Sequence, residues 1–225
     1  MPTKPRLALA TLLAYNELLR LNIGACPISS DTFLTPSGQS IIICSYQEFC
    51  ERTGVTFDEL SLGGRLGDGF YVSGTDTYRT MIFYNADRYT PRVRFTMLHE
   101  VGHVILNHKR NAPVEEAEAN FFASQFLIPS ALLLEIHRRG HNLDVHRISR
   151  IFDVSLTAAR VKLEQLERLR HTQTHLDDSI VRRFTPYLDQ YLPPEAASFS
   201  HALHFFGGVD NYRAYQKLEE GTLFP

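Results

Sequence analysis

Two histidines and a glutamate, His99, Glu100 and His103, stand in the order H-E-x-x-H. On a helix, residues four apart lie on one face a turn apart, so both imidazoles can reach a single ion. Glu100 is rotated away by about a third of a turn. That suits a carboxylate that touches a water beside the ion instead of the ion itself. The chemistry such a group supports is hydrolysis. A divalent ion activates the water, and the glutamate handles its proton.

Zinc in a catalytic site takes three protein ligands, so one more donor must come from elsewhere in the chain. Glu115, Glu116 and Glu118 follow after a short loop. Glu116 shares a helix face with Asn120 one turn on, and metal-bound histidines usually donate their other N–H to such an oxygen. Glu115 is followed at that spacing by Ala119 and Glu118 by Phe122, neither of which can serve. Glu116 is therefore the expected third ligand and Asn120 its supporting partner. Glu115 and Glu118 are expected to be dispensable for metal.

Two helices must position these groups. Phe95, Leu98, Val101 and Ile105 recur at helical spacing through the first, and Arg88 to Arg94 reads as a linker into it. Asn111-Ala112-Pro113 supplies a cap-like residue and an early proline for the second, and Pro129 stops it. Upstream, Leu9, Leu12, Leu13 and Leu19 fit an amphipathic helix, Ser40 to Cys44 a buried strand, and Tyr46 to Arg52 a brief helix. Gly63-Gly64 and Gly67-Asp68-Gly69 read as turns, since no G-x-x-x-x-G-K pattern accompanies them. Phe70 to Ser73 and Thr77 to Asn85 form an expected hairpin around Gly74-Thr75-Asp76. An extended peptide can add to an exposed sheet edge, which makes Tyr84 and Asn85 candidate substrate contacts. The plainer alternative is that they end a strand.

The run from Arg94 to His103, Glu116-Ala117-Glu118-Ala119-Asn120-Phe121-Phe122-Ala123, and Leu127-Ile128-Pro129 together resemble the ImmA/IrrE family of metallo-endopeptidases. The resemblance covers roughly residues 5 to 170. It implies zinc on His99, His103 and Glu116, with Glu100 catalytic. Manganese or iron would also suit two histidines and a carboxylate. It further implies a regulatory protein substrate, a helix-turn-helix repressor encoded nearby on a mobile element or in a stress-response locus. Asn107 stands where the family often has a histidine, and His108 beside it lies off the expected ligand face.

The implied fold is α+β, zincin-like, with a short, mainly antiparallel sheet packed on the H-E-x-x-H helix and the Glu116 helix. The implied organisation is a metallopeptidase domain over residues 1–138, a helix-turn-helix-like segment over 139–170, and an aromatic-rich helical extension over 171–225.

Composition agrees with an ordinary globular protein. Its 225 residues are 44% hydrophobic and 21% charged, with a formal net charge of −2 that offers no broad attraction for nucleic acid. Three cysteines without C-x-x-C spacing (Cys26, Cys44 and Cys50) read as reduced thiols. Lys4 and Arg6 before Leu7 to Tyr15 imitate an export signal, but Asn16, Glu17, Arg20 and Asn22 interrupt the region that would have to be apolar. A cytoplasmic protein without a membrane span is expected.

Ser130 to Arg139, Leu143 to Phe152 and Ser155 to Leu169 read as three helices, the last two resembling a helix-turn-helix with Ser155 as N-cap. Residues 137–170 hold eight Lys or Arg against four acids. That local charge supports an alternative class of function, a regulator binding DNA or a partner through residues 143–170 without proteolysis. Against it, the resemblance assigns a similar Phe-x-Val-Ser segment to the peptidase fold itself, with Lys162 standing where an arginine is common. Ile180, Phe184, Tyr187 and Tyr191, then Phe199, Leu203 and Phe206, are too apolar for a disordered tail. His171, His175, His201 and His204 read as ordinary packed or surface residues.

Overall fold

The computed structural model describes residues 4–29, 41–61, 66–74, 79–110, 112–169 and 174–194. The first helix, α1 (Leu7–Arg20), buries Ala10, Thr11, Ala14, Tyr15 and Leu18. The leucines expected to form its core face are only half-buried. Ala10 and Ala14 on that inward face let α1 lie close against its neighbours, while Tyr15 and Leu18 fill the space beside them.

Strand β1 (Ile41–Ser45) runs straight into α2 (Tyr46–Thr53). Ser45 caps that helix by accepting the Glu48 N–H at 3.0 Å, and Gly54 ends it in the left-handed region at φ 74°. The single turn α3 (Phe57–Leu60) follows, closed by a Thr56–Glu59 capping box. Strands β2 (Gly69–Val72) and β3 (Thr80–Tyr84) then form the expected hairpin.

The sheet order is β1-β3-β2. β3 pairs antiparallel with β2, Phe70 opposite Phe83, and parallel with β1, Ile43 opposite Ile82. The sheet is thus mixed where a mainly antiparallel one is expected. The helical crossover through α2 and α3 turns the chain round between β1 and the hairpin, and a parallel neighbour requires such a crossover.

Helix α4 (Thr90–Ile105) carries the H-E-x-x-H segment and starts earlier than its expected linker allows. Pro91 sits in its first turn, and Asp68 accepts from Arg88 Nε and Arg92 Nε at 2.8 Å each, tying that turn to the start of β2. Helix α5 (Pro113–Leu127) carries Glu116. Asn111, its expected cap, lies outside the described residues. The Glu115 carboxylate instead receives the N–H groups of Lys109, Arg110 and Ala112 at 3.2, 2.9 and 3.5 Å. A Cβ on Gly102 would lie 3.1 Å from Phe122 Cδ1 and 3.3 Å from Ala119 Cα. This lack of a side chain lets α4 and α5 approach closely enough for residues on both to share one ion.

Helices α6 (Ser130–Arg138), α7 (Val145–Phe152), α8 (Leu156–Leu169) and α9 (Asp177–Tyr191) complete the described chain. Ser155 caps α8 as expected, its Oγ accepting from Ala158 N at 3.1 Å. The buried Arg94 of α4 donates to Asp153 Oδ2 at 2.7 Å and to the Phe152 carbonyl at 2.8 Å. It thereby clamps the turn between α7 and α8 onto α4. Helix α9 packs on the body through Ile180, Phe184 and Leu188, and Arg139 binds Asp189 at 2.8 Å. Tyr191 is exposed, and Phe199, Leu203 and Phe206 lie outside the described residues. One hydrophobic cluster runs from Ala10 through Phe122 and Phe152 to Leu192, so all three segments of the expected organisation share a core.

Among the described residues, one helical stretch, Pro113–Arg138, is long and apolar enough to cross a membrane. Its most apolar 18-residue window is 83% buried inside the protein, as a core element is. Cys26, Cys44 and Cys50 are free thiols.

Lys162 is buried in α8 with its ammonium 6.0 Å from the Phe121 ring and no hydrogen-bond partner among the described residues. Burial pushes its pKa down to about 7. Between that value and the ordinary lysine range the unfolded chain binds more protons, so wild-type stability rises with pH there. Below about pH 7 both states are charged, and the full cost of burial is present. Lys162→Met is expected to stabilise the fold by about 1–3 kcal/mol near pH 6. The advantage should shrink as pH climbs towards 10, read by thermal unfolding across that range. A gain that is independent of pH would contradict this account.

Candidate metal centre

His99 and His103 point their Nε2 atoms to one place from consecutive turns of α4, 3.0 Å apart. Glu116 of α5 comes in from the side, its oxygens 3.3 Å from His99 Nε2 and 3.4 Å from His103 Nε2. Ligands held at zinc-like bond lengths of about 2.0–2.1 Å on a tetrahedral ion lie about 3.3 Å from one another. The donor spacing therefore fits a small divalent cation, and the ligand atoms of this trio all lie within 4.8 Å of one another.

Protonation agrees with the spacing. Burial holds His99 below the ordinary histidine range despite the opposing charge of Glu116. Burial, with the neighbouring His99 and His108, takes His103 down to about 4. Both rings are thus neutral near pH 7, the form that ligates metal. Asn120 Oδ1 lies 3.0 Å from His99 Nδ1. An amide oxygen can only accept, so the ring proton sits on Nδ1 and leaves the Nε2 lone pair facing Glu116.

Glu100 is 8% exposed and directed into the layer between α4 and the sheet. Burial, reinforced by the charge of Glu116, raises its pKa to about 7. A carboxyl poised near neutrality can take a proton and give it back. A Cβ on Gly69 would lie 3.6 Å from Glu100 Cγ and only 2.5 Å from Thr96 Cγ2. Only a glycine lets β2 lie directly on this part of α4, and that close approach brings the outer strand of the sheet beside Glu100.

Tyr84 ends β3, the central strand, in register with Ser45 of β1 on one side and Gly69 of β2 on the other, and Asn85 follows it. The Asn85 N–H donates to the Asp68 carbonyl at 2.8 Å, and its Oδ1 accepts from Asp87 N at 3.0 Å. These contacts suit a strand end turning into a loop. The edge that lies beside Glu100 belongs to β2 instead.

Several residues that sequence reasoning passed over stand at the site. Tyr71 of β2 stacks its ring on His103 with centroids 5.7 Å apart, and its hydroxyl donates to the His108 carbonyl at 3.0 Å. Phe95 stacks on His99 at 6.4 Å. His108 is buried beneath His103, its Nδ1 2.9 Å from His103 Nδ1 and its Nε2 3.0 Å from Glu118 Oε2. Asn107 makes this possible. It adopts φ 56° just past α4, and the chain folds back so that His108 N–H reaches the His103 carbonyl at 3.0 Å. The spacing of His108 concealed this, because a left-handed residue takes the chain off the helical wheel. For Tyr71, the sequence offered only an aromatic position in the hairpin.

A cleft of about 510 Å³ opens beside the centre. Phe95 and Asn120, both in contact with His99, line it together with Val154, Ala158, Val161 and Gln165 from the turn and helix α8.

The chain matches the family model described as the IrrE N-terminal-like domain, a peptidase domain, over residues 50–164. No curated protein and no solved structure matches it.

Proposed function

The chain belongs to the IrrE N-terminal-like family of metallopeptidases, and from that premise we propose that it is a zinc endopeptidase cutting a regulatory protein of the helix-turn-helix repressor class. The observation that carries the reading is the convergence of two neutral imidazoles and one carboxylate at tetrahedral spacing, with a buried glutamate next to them. Likeness to the ImmA/IrrE family supports the repressor as substrate. Manganese or iron would satisfy the same donors, and metal analysis of purified protein distinguishes them.

His99, His103 and Glu116 would hold the ion, which when bound polarises the scissile carbonyl and makes water a better nucleophile. Glu100 takes a proton from the attacking water onto its carboxylate and passes it to the leaving amine. Its burial keeps the accepted proton from bulk solvent until the amine departs. The outer edge of β2 offers main-chain donors and acceptors to an extended peptide, which would then run past Glu100. Tyr71 holds His103 from the sheet side, and Asn120 holds His99 from α5.

The test is incubation of the purified protein with the helix-turn-helix protein encoded beside it. Cleavage at one or a few sites is expected, stopped by a chelator and restored by zinc. If no bond is cut while the protein shifts promoter DNA in a gel, the alternative through residues 143–170 takes its place.

A further inference from the structure

Glu118 does not reach the metal position, but it stands at the end of a chain of hydrogen bonds that does. Its oxygens accept the Arg6 backbone N–H at 2.7 Å, the Arg6 guanidinium at 2.7 and 3.1 Å, and His108 Nε2 at 3.0 Å. Both of its oxygens thus serve as acceptors for Arg6, whose guanidinium bridges the two as it does an ionised carboxylate. An ionised carboxylate has no proton to donate. The hydrogen between His108 and Glu118 therefore belongs to His108 Nε2.

The consequence passes through both rings. In its one-proton form, with that hydrogen on Nε2, His108 has a bare lone pair on Nδ1. That lone pair faces His103 Nδ1 at 2.9 Å, so His103 must carry its proton there. His103 Nε2 is then left bare, pointing at Glu116 and at the site of the ion. Both rings are buried, at 3% exposure each, so water does not compete for these bonds.

We propose that Arg6, Glu118 and His108 form a relay that fixes the tautomer of His103. The segment ahead of α1 is thereby a working part of the metal centre. The proposal rests on the metallopeptidase reading above. Arg6 lies outside the stretch matched by the family model, so this chain completes its site with a residue from beyond the matched domain. His99 is served differently, by the single exposed amide of Asn120. The two ligands are therefore supported unequally. The one on the buried side depends on three residues in series, of which Arg6 is the only one within reach of solvent.

Nitrogen-15 NMR of the histidine rings in the metal-free protein reads the tautomers directly, and competition against a chelator reads zinc affinity. In the wild type, His103 is expected to be neutral with its proton on Nδ1. His108→Ala removes the acceptor and should weaken zinc binding by about 10- to 100-fold. In Glu118→Gln, Arg6 retains the amide oxygen and the NH₂ turns to His108. That should invert His108 and move the His103 proton to Nε2, with a comparable loss of zinc. Arg6→Ala, which trims a side chain 52% exposed, should cost a few-fold in affinity with little effect on unfolding temperature. If Glu118→Gln does not fold, the other two variants decide.

Zinc affinities within twofold of wild type in folded His108→Ala and Arg6→Ala would overturn the relay. So would a wild-type His103 protonated on Nε2. A wild type that takes up no zinc would sink the metallopeptidase reading instead, while the tautomers of the metal-free protein would still decide the relay.

Discussion

Glu100→Gln is expected to keep the metal, the fold and the substrate and to cut nothing measurable. The amide has the size and shape of the carboxyl, and Glu100 is not among the three donors placed to hold an ion. What it removes is a base whose buried position has raised it to about 7, in reach of both accepting and releasing a proton at neutral pH. General acid–base groups contribute about 10²- to 10⁴-fold, so single-turnover cleavage should fall by at least that range. Binding should persist because the β2 edge and the ion still engage the peptide. The measurement is cleavage of the candidate repressor beside pull-down of the same repressor by the variant. Should Glu100→Gln relieve repression as well as the wild type, proteolysis is not the mechanism. Binding by the helices after Ser130 would then lead.

The second large effect concerns the metal itself. His99→Ala, His103→Ala and Glu116→Ala should each lose most of the bound ion, and activity with it, in elemental analysis of the purified proteins. A two-donor remnant cannot satisfy an ion that takes three protein ligands. Glu115→Ala should retain metal, since its carboxylate serves the backbone N–H groups of Lys109, Arg110 and Ala112 ahead of α5. Retention of full metal by Glu116→Ala would dismiss Glu116 as a ligand, whatever the histidines show. Glu118 stands apart from the sequence expectation that it is dispensable. It should matter for affinity through His108, though it donates no ligand atom.

The local problems of this protein were legible in the sequence. H-E-x-x-H is read at helical spacing because a helix has one period, and the i, i+4 relation of Glu116 and Asn120 follows from the same geometry. The hairpin before α4, the Ser155 cap and the stop at Pro129 are likewise settled by a few neighbouring residues. The amphipathic α1 was legible as well, with Leu9, Leu13 and Leu19 packed against the core, although its most buried positions, Ala10, Ala14, Tyr15 and Leu18, follow from the close neighbour and not from periodicity.

What the chain alone could not show are relations between elements far apart in sequence. Nothing in Arg6 announces that it will clasp a glutamate 112 residues later. Nothing in Gly69 or Gly102 states which helix or strand will lie against the missing side chain. Among the described residues β3 has no free edge, because β1 joins it on the side away from β2, a pairing decided by the crossover and not by either strand's residues. His108 was lost to view when Asn107 left helical geometry, and Arg94 clamps a turn whose approach only the packed core dictates. The candidate donors His99 and His103 were spelled out because one helix provides their spacing, and Glu116 because a second helix pairs it with Asn120 one turn on. Their support was decided in three dimensions, because a buried imidazole can be oriented by any acceptor the fold brings within about 3 Å.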